Sequence, residues 1–276
     1  MTALLRIEWL KIRHYSAFIV LSLFFILGVL AANYAVFYTK KNLIDKADPT
    51  GMIASASPYD FAHTWQTTSY VSGFLLLLPG LLLILLITNE FAFRTHRQNI
   101  IDGWTRQQFI DVKILLALIA ALISTVLVFL TAMIFGFASG SSFSLTKAGA
   151  VGFFFLKAIS YNMIAVLIAV LVRRTGFAIG IFFIYLGAEN ILSAILQGLS
   201  MKLKADDGFD WGNLGDYLPM NAADGLLHFP ENTLTDMAKN APLMPHDYWQ
   251  VGLGLALIYL AIYWYWSRNR IIKTDL

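Results

Sequence analysis

The chain has 276 residues, 58% of them hydrophobic and 13% charged, with a mean hydropathy of +0.66. A soluble domain carries about a quarter charged residues, so the composition points to a bilayer as solvent. The formal net charge of +3 is too small to point to nucleic acid, and the lack of cysteine excludes disulfides, thiolate metal sites and a Cys nucleophile.

From the N-terminus, Leu4–His14 mixes apolar and basic residues, so residues 1–15 are expected to lie along the cytoplasmic membrane surface. Glu8 and Lys11 interrupt the apolar face of that segment. Six apolar runs follow: Ser16–Tyr38, Ser69–Thr88, Lys113–Gly136, Val151–Val172, Gly176–Leu199 and Trp249–Trp266. Each is about long enough to cross a hydrocarbon core of roughly 30 Å. All are apolar all round, without the short alternating segments of a β-barrel. The expected fold is therefore an all-α polytopic membrane protein, one domain over 1–276 with six transmembrane helices. The first run continues through Tyr34, Val36 and Phe37, longer than a signal-peptide core, and reads as an uncleaved span.

Between the first two spans, Ser57-Pro58-Tyr59-Asp60 reads as a helix N-cap, so the second helix should start before its apolar run. Pro79-Gly80 predicts a kink within it. Residues 89–112 then combine a short helix from Glu90 to Ile101, an Asp102-Gly103 turn and a Thr105/Gln108 capping box that opens the third helix. The turn at Arg173–Thr175 makes spans four and five antiparallel neighbours. Residues 201–247, punctuated by glycines and prolines, allow only short helices, such as Glu231–Lys239.

Orientation comes from the nine arginines: 6, 13, 94, 97, 106, 173, 174, 268 and 270. All fall on one side of the six-span map, while residues 201–247 carry three Lys against seven Asp and one Glu. The positive-inside rule places both termini in the cytoplasm. Trp65, Tyr70, Tyr248 and Trp249 are expected at outer interfaces, and Tyr263 to Trp266 at an inner one.

The 89–112 segment sets Phe91, Phe93, Ile100 and Ile101 among Arg94, Arg97 and Gln98. Apolar knobs with basic rims suit docking onto a soluble partner. The same residues suit equally a positive-inside loop resting at the headgroups.

The whole chain resembles the type-2 ATP-binding-cassette (ABC) exporter permeases. The basic, Leu-Glu-containing start appears as Leu5-Arg6-Ile7-Glu8-Trp9-Leu10-Lys11. The Glu, Thr, Arg and Lys of the segment between spans two and three match Glu90, Thr95, Arg106 and Lys113. A Leu-Pro-x-Asn element before the last span matches Leu218-Pro219-Met220-Asn221. Two positions depart: the usual Gly before the Thr is Arg94, and Gly103-Trp104 replaces a Pro near the turn. The resemblance implies that 89–112 is a coupling segment, with Glu90, Phe91, Phe93, Arg94, Thr95, Arg97 and Arg106 facing a cytoplasmic ATPase subunit. That subunit must be separate, since the chain has no Gly-Lys dipeptide and hence no P-loop. ATP and Mg would sit on the partner, with no cofactor or metal on this chain. A second permease subunit, identical or related, and membrane lipid complete the implied partners.

Two ionisable residues stand within the spans. Lys157 and Glu189 lie at matching depth, roughly 23 Å above the inner arginines at 1.5 Å per residue, and are expected to pair. The alternative is a snorkelling Lys157 beside a neutral Glu189 bonded to Asn190 or Asn162. Candidates for catalysis are weaker. Glu90-x-x-x-Arg94 lacks the Glu pair and mid-span His of an intramembrane protease, Asp206-Asp207-Gly208-Phe209-Asp210 lacks calcium-loop spacing, and Ser139–Ser142 has no base. The expected function is an inner-membrane exporter subunit for a hydrophobic or amphipathic substrate such as a lipid, peptide or drug. The alternatives are an intramembrane enzyme and a non-transporting anchor or sensor.

Overall fold

The computed structural model describes residues 2–39, 61–207, 212–230 and 249–273. They are helical, with no strand among the described residues. In chain order the helices are α1 (Thr2–Ile12), α2 (Ser16–Thr39), α3 (Phe61–Gly73) and α4 (Leu77–Ala92), then α5 (Thr95–Ile101), α6 (Arg106–Ala138) and α7 (Gly149–Val172). Last come α8 (Thr175–Asp207), the short α9 (Asn221–Asp224) and α10 (Trp249–Lys273). The expected cap at Ser57–Asp60, Tyr248 and the helix over 231–239 fall outside the described residues.

Five of these stretches are long and apolar enough to cross a membrane: Ser16–Thr39, His63–Ala92, Arg106–Ala138, Gly149–Val172 and Thr175–Ala205. They fit a multi-pass membrane protein. The sixth expected run forms α10, a helix of 25 residues, but Trp264, Tyr265 and Trp266 dilute its apolar stretch and Arg268, Arg270 and Lys273 close it. It stands outside the five on composition. Even so, α10 runs the length of the bundle, from Trp249 against Phe153 to Arg268, whose Nε lies 3.5 Å from Asp111 Oδ1.

The central helix is α7, with 78% of its apolar window buried, against 17% for α2 and 11% for α8. It packs on α6, α4 and α10, so most of the core forms around it. Several expectations shift in register. Within the second span the α-helix is interrupted by a 3-10 turn, Phe74–Leu76, one turn ahead of Pro79. Proline has no N–H for the carbonyl four residues back, at Leu75, and the chain tightens where that bond is missing. Both long spans exceed their apolar runs: α6 starts at Arg106 and α8 continues to Asp207. Trp65 is a correction. It is fully buried rather than interfacial, stacks on Phe129 and donates Nε1–H to the Ser144 carbonyl at 2.8 Å.

Contacts tie the arginine-bearing segments together at one end of the bundle. Arg106 donates to the Ile272 carbonyl at 3.3 Å, Arg173 stacks over the Phe91 ring, and α1 is pinned to α4, α5 and α6.

Candidate functional site

The 89–112 segment resolves into three pieces. Glu90 and Phe91 are the last turn of α4, Phe93 closes that helix, and Arg94 turns the chain in the left-handed region at φ 58°. A non-glycine residue is uncommon there. Helix α5 then runs seven residues, Gly103 reverses the chain at φ 99°, and the capping box opens α6. Thr105 Oγ1 accepts from Gln108 N–H at 3.1 Å while Gln108 Oε1 accepts from Thr105 N–H at 2.9 Å, satisfying two end amides together.

Beneath α5 lies a buried cluster of four charges drawn from three helices. Lys113 of α6 places Nζ 2.6 Å from Glu8 Oε2 of α1 and 2.8 Å from Glu90 Oε1 of α4. Lys11 of α1 lies 3.1 Å from Glu8 Oε1 and 3.3 Å from Glu90 Oε1, and donates to Asn99 Oδ1 of α5 at 3.3 Å. The side chains of Lys113 and Glu8 are 1% and 2% exposed, and that of Lys11 is 35% exposed. Two carboxylates and two ammonium groups cancel, which is how a protein keeps such groups out of water. Burial alone would push the Glu8 carboxyl up, but the ammonium groups of Lys113 and Lys11 outweigh it and hold it below the ordinary range. Burial would likewise lower Lys11, and Glu90 and Glu8 more than reverse that, raising it.

The cluster continues into α5. The Glu90 carbonyl faces His96 Nδ1 at 3.0 Å and accepts from Thr95 Oγ1 at 3.4 Å, and the His96 ring packs 4.9 Å from that of Phe91. Helix α5 thus has two faces. His96 and Asn99 point inward and are buried, while Thr95, Arg97, Gln98 and Ile101 are exposed. Phe93 is 76% exposed and Ile101 77% exposed, large apolar side chains standing outside the fold.

Of the seven residues expected to face a partner, Phe93, Arg94, Thr95 and Arg97 are exposed. Glu90 and Phe91 turn inward instead, Glu90 into the charge cluster and Phe91 against Phe109. Arg106 is half-buried against the end of α10. What the sequence reading missed is the convergence of Glu8 and Glu90 on Lys113. The signal was present: Glu8 and Lys11 are the residues that spoil the apolar face of α1.

At the far end of the bundle, the expected Lys157–Glu189 pair is corrected. Lys157 Nζ lies 3.2 Å from Asp224 Oδ1 of α9, with the rings of Phe74 and Tyr161 also within reach of its charge. Tyr161 donates to Asp224 Oδ2 at 3.0 Å. Glu189 accepts instead from the backbone N–H groups of Met220 and Asn221, the latter at 3.1 Å, where α9 begins. The 212–230 segment supplies each side chain with a different partner, Asp224 for Lys157 and the Met220 and Asn221 amides for Glu189. Leu218–Asn221, the Leu-Pro-x-Asn element, is the stretch that meets Glu189. Tyr259 of α10 ties it further by donating to the Tyr217 carbonyl at 2.8 Å. Among the described residues no group of His, Asp and Glu is arranged to hold a metal ion.

No protein-family model matches the chain, and no curated relative matches it either.

Proposed function

We propose that the chain is the membrane-spanning subunit of an ATP-driven exporter of the ABC type, with six helices crossing a bacterial inner membrane. In this reading α10 is the sixth span, the arginine end is cytoplasmic and the 212–230 segment is external. The observation that carries the proposal is the two-sided helix α5. Its inner face is bonded to a charge cluster that joins α1, α4 and α6, while its outer face presents Arg97 and Ile101, with Phe93 exposed just ahead of it at the end of α4. A force applied to that outer face passes through Asn99 to Lys11 and through His96 to the Glu90 carbonyl, and from there into the ion pairs that join three helices. That is the mechanical requirement for an ATPase seated on α5 to move the bundle, and Arg94 and Arg97 suit an acidic rim on it.

ATP and Mg belong to that separate subunit. A second permease chain completes the pathway, with substrate passing through or along the interface. Spans with few fixed charges beyond Lys157 and Glu189 support a hydrophobic or amphipathic substrate. The test is affinity purification of the tagged chain from solubilised membranes. A P-loop ATPase should co-purify. F93A combined with R97E should remove it while leaving the chain folded, since both side chains are exposed. Absence of any ATPase, or ATPase retention indifferent to these changes, overturns the reading.

A further inference from the structure

Lys157 of α7 carries a buried ammonium at the far end of the bundle, its side chain 9% exposed. Among the described residues its only carboxylate partner is Asp224, which belongs to the connecting segment rather than to a long helix. Two donors of α7 converge on that carboxylate. Lys157 Nζ stands 3.2 Å from Oδ1, and the Tyr161 hydroxyl, one helical turn on, donates to Oδ2 at 3.0 Å. Gly73 makes room for the ammonium, since a Cβ there would stand 3.0 Å from Nζ. The Phe74 ring flanks the same charge, 5.9 Å from Nζ to its centroid.

Asp224 fills this cradle imperfectly. Its Oδ1 is buried and, despite the ammonium beside it, accepts no hydrogen bond. The side chain as a whole is 29% exposed, so the occupied cradle still reaches the surface. An apolar track leads away from it. Phe74 is 67% exposed, Tyr70 packs on Phe74 at 5.3 Å between ring centroids, and Phe229 packs on Tyr70 at 5.8 Å. A site with a cation and a hydroxyl for one planar carboxylate, beside a row of rings, matches a molecule with an acidic head and an apolar tail.

We propose that the Lys157–Tyr161 cradle binds the head of the transported molecule, an amphiphile bearing a carboxylate, and that Asp224 is its internal stand-in. The ligand's carboxylate takes the Lys157 ammonium on one oxygen and the Tyr161 hydroxyl on the other, and its tail lies along Phe74, Tyr70 and Phe229. Asp224 swings out toward water as the ligand enters. One carboxylate replaces another, so the buried ammonium is never left without an anion, the state that costs most within a membrane. The transport of this ligand rests on the exporter reading, while its binding rests on the cradle alone.

The test is binding of radiolabelled laurate to the purified full-length chain in detergent, read by scintillation proximity, with dodecanol and dodecyl phosphate as competitors. Asp224→Asn should bind laurate about tenfold more tightly or better, because a site filled by its own carboxylate is open to a ligand only part of the time. A gain of affinity is a result that misfolding cannot produce. Lys157→Gln should abolish binding, Tyr161→Phe should weaken it about threefold to tenfold, the scale of one hydrogen bond, and dodecanol should not compete. Equal affinity in the parent and Asp224→Asn, or binding indifferent to Lys157→Gln, overturns the proposal and leaves an ion pair that only neutralises a buried lysine. Dodecyl phosphate competing better than laurate overturns the carboxylate assignment. Laurate binding needs no ATPase, so its failure while an ATPase co-purifies removes the cradle alone. Absence of the ATPase with Lys157-dependent binding intact removes the exporter reading and upholds the site.

Discussion

The two ends of the bundle solve the burial of charge differently. At the arginine end, Glu8, Lys11, Glu90 and Lys113 compensate one another, and the shortest contacts of the cluster run between formal charges. At the far end, Lys157 and Asp224 form one ion pair, but Glu189 is met by two backbone amides. The first arrangement fixes helices to each other. The second fixes a connecting segment to the helices, because its amides belong to the start of α9. A charged acceptor held by N–H groups tolerates replacement by any acceptor of the same shape, whereas a charge held by charges does not.

The largest expected effect of that difference is at Lys113. Lys113→Met leaves Glu8 and Glu90 buried with only Lys11 between them. Removing one partner of a buried pair costs about 3–5 kcal/mol. Thermal unfolding of the purified protein in detergent should show a large drop in midpoint, and Glu8→Gln added to Lys113→Met should recover part of it by removing one uncompensated carboxylate. A Lys113→Met protein as stable as the parent would mean that the cluster is no support to the fold.

A smaller effect should appear at Glu189, and it should depend on chemistry rather than charge. Glu189→Gln keeps a carbonyl oxygen for the Met220 and Asn221 amides and should change the midpoint little. Glu189→Leu leaves both amides without an acceptor, at about 1–3 kcal/mol for each buried group. Limited proteolysis should then cut within 212–230 in the Leu variant and spare it in the Gln variant. Equal loss in both variants would make the carboxylate charge the working feature and erase the contrast between the ends.

Much of this architecture was legible in the sequence, and the parts that were not share a cause. Helix α2, the tight turn at Arg173, and the Thr105/Gln108 capping box follow from local pattern, which depends on near neighbours in the chain. Span five was read to Leu199 and runs to Asp207, because apolar runs mark hydrocarbon thickness while α8 is stabilised beyond it by the Leu214–Tyr217 turn, whose Leu214 N–H bonds Ser200 Oγ. The Lys157–Glu189 expectation used depth alone. Depth is one coordinate of three, and the folding back of Asp224 is a long-range event that no spacing rule contains. Glu90 shows the same limit: its helix position was evident, but which face it turned inward depended on Lys113, 23 residues on.

The smallest expected effect is in the response to acid, where the two ends should act with opposite sign. Glu8 has an ordinary value of 4.5 and is held below it in the fold. Its contribution is therefore fully present above about pH 4.5 and is lost as the pH falls through the lowered native value. Lys11, raised above its ordinary 10.5, contributes fully below that value and loses its contribution only as the pH rises through its native one. The cluster thus supports the fold across the whole interval between those two limits. Asp216, within the far-end segment, is pushed above its ordinary 3.8 by burial. Protonation favours its folded form, so lowering the pH from neutral through its raised value relieves a cost rather than adding one. Unfolding midpoints from about pH 7 down to about pH 3 should test the difference. Asp216→Asn should remove a slight gain seen on mild acidification. Glu8→Gln should lower the midpoint at neutral pH and flatten the decline below about pH 4.5, because the group that loses its charge there is gone. A Glu8→Gln protein whose acid decline matched the parent's would place the acid-labile carboxylate elsewhere and break the assignment of opposite signs to the two ends.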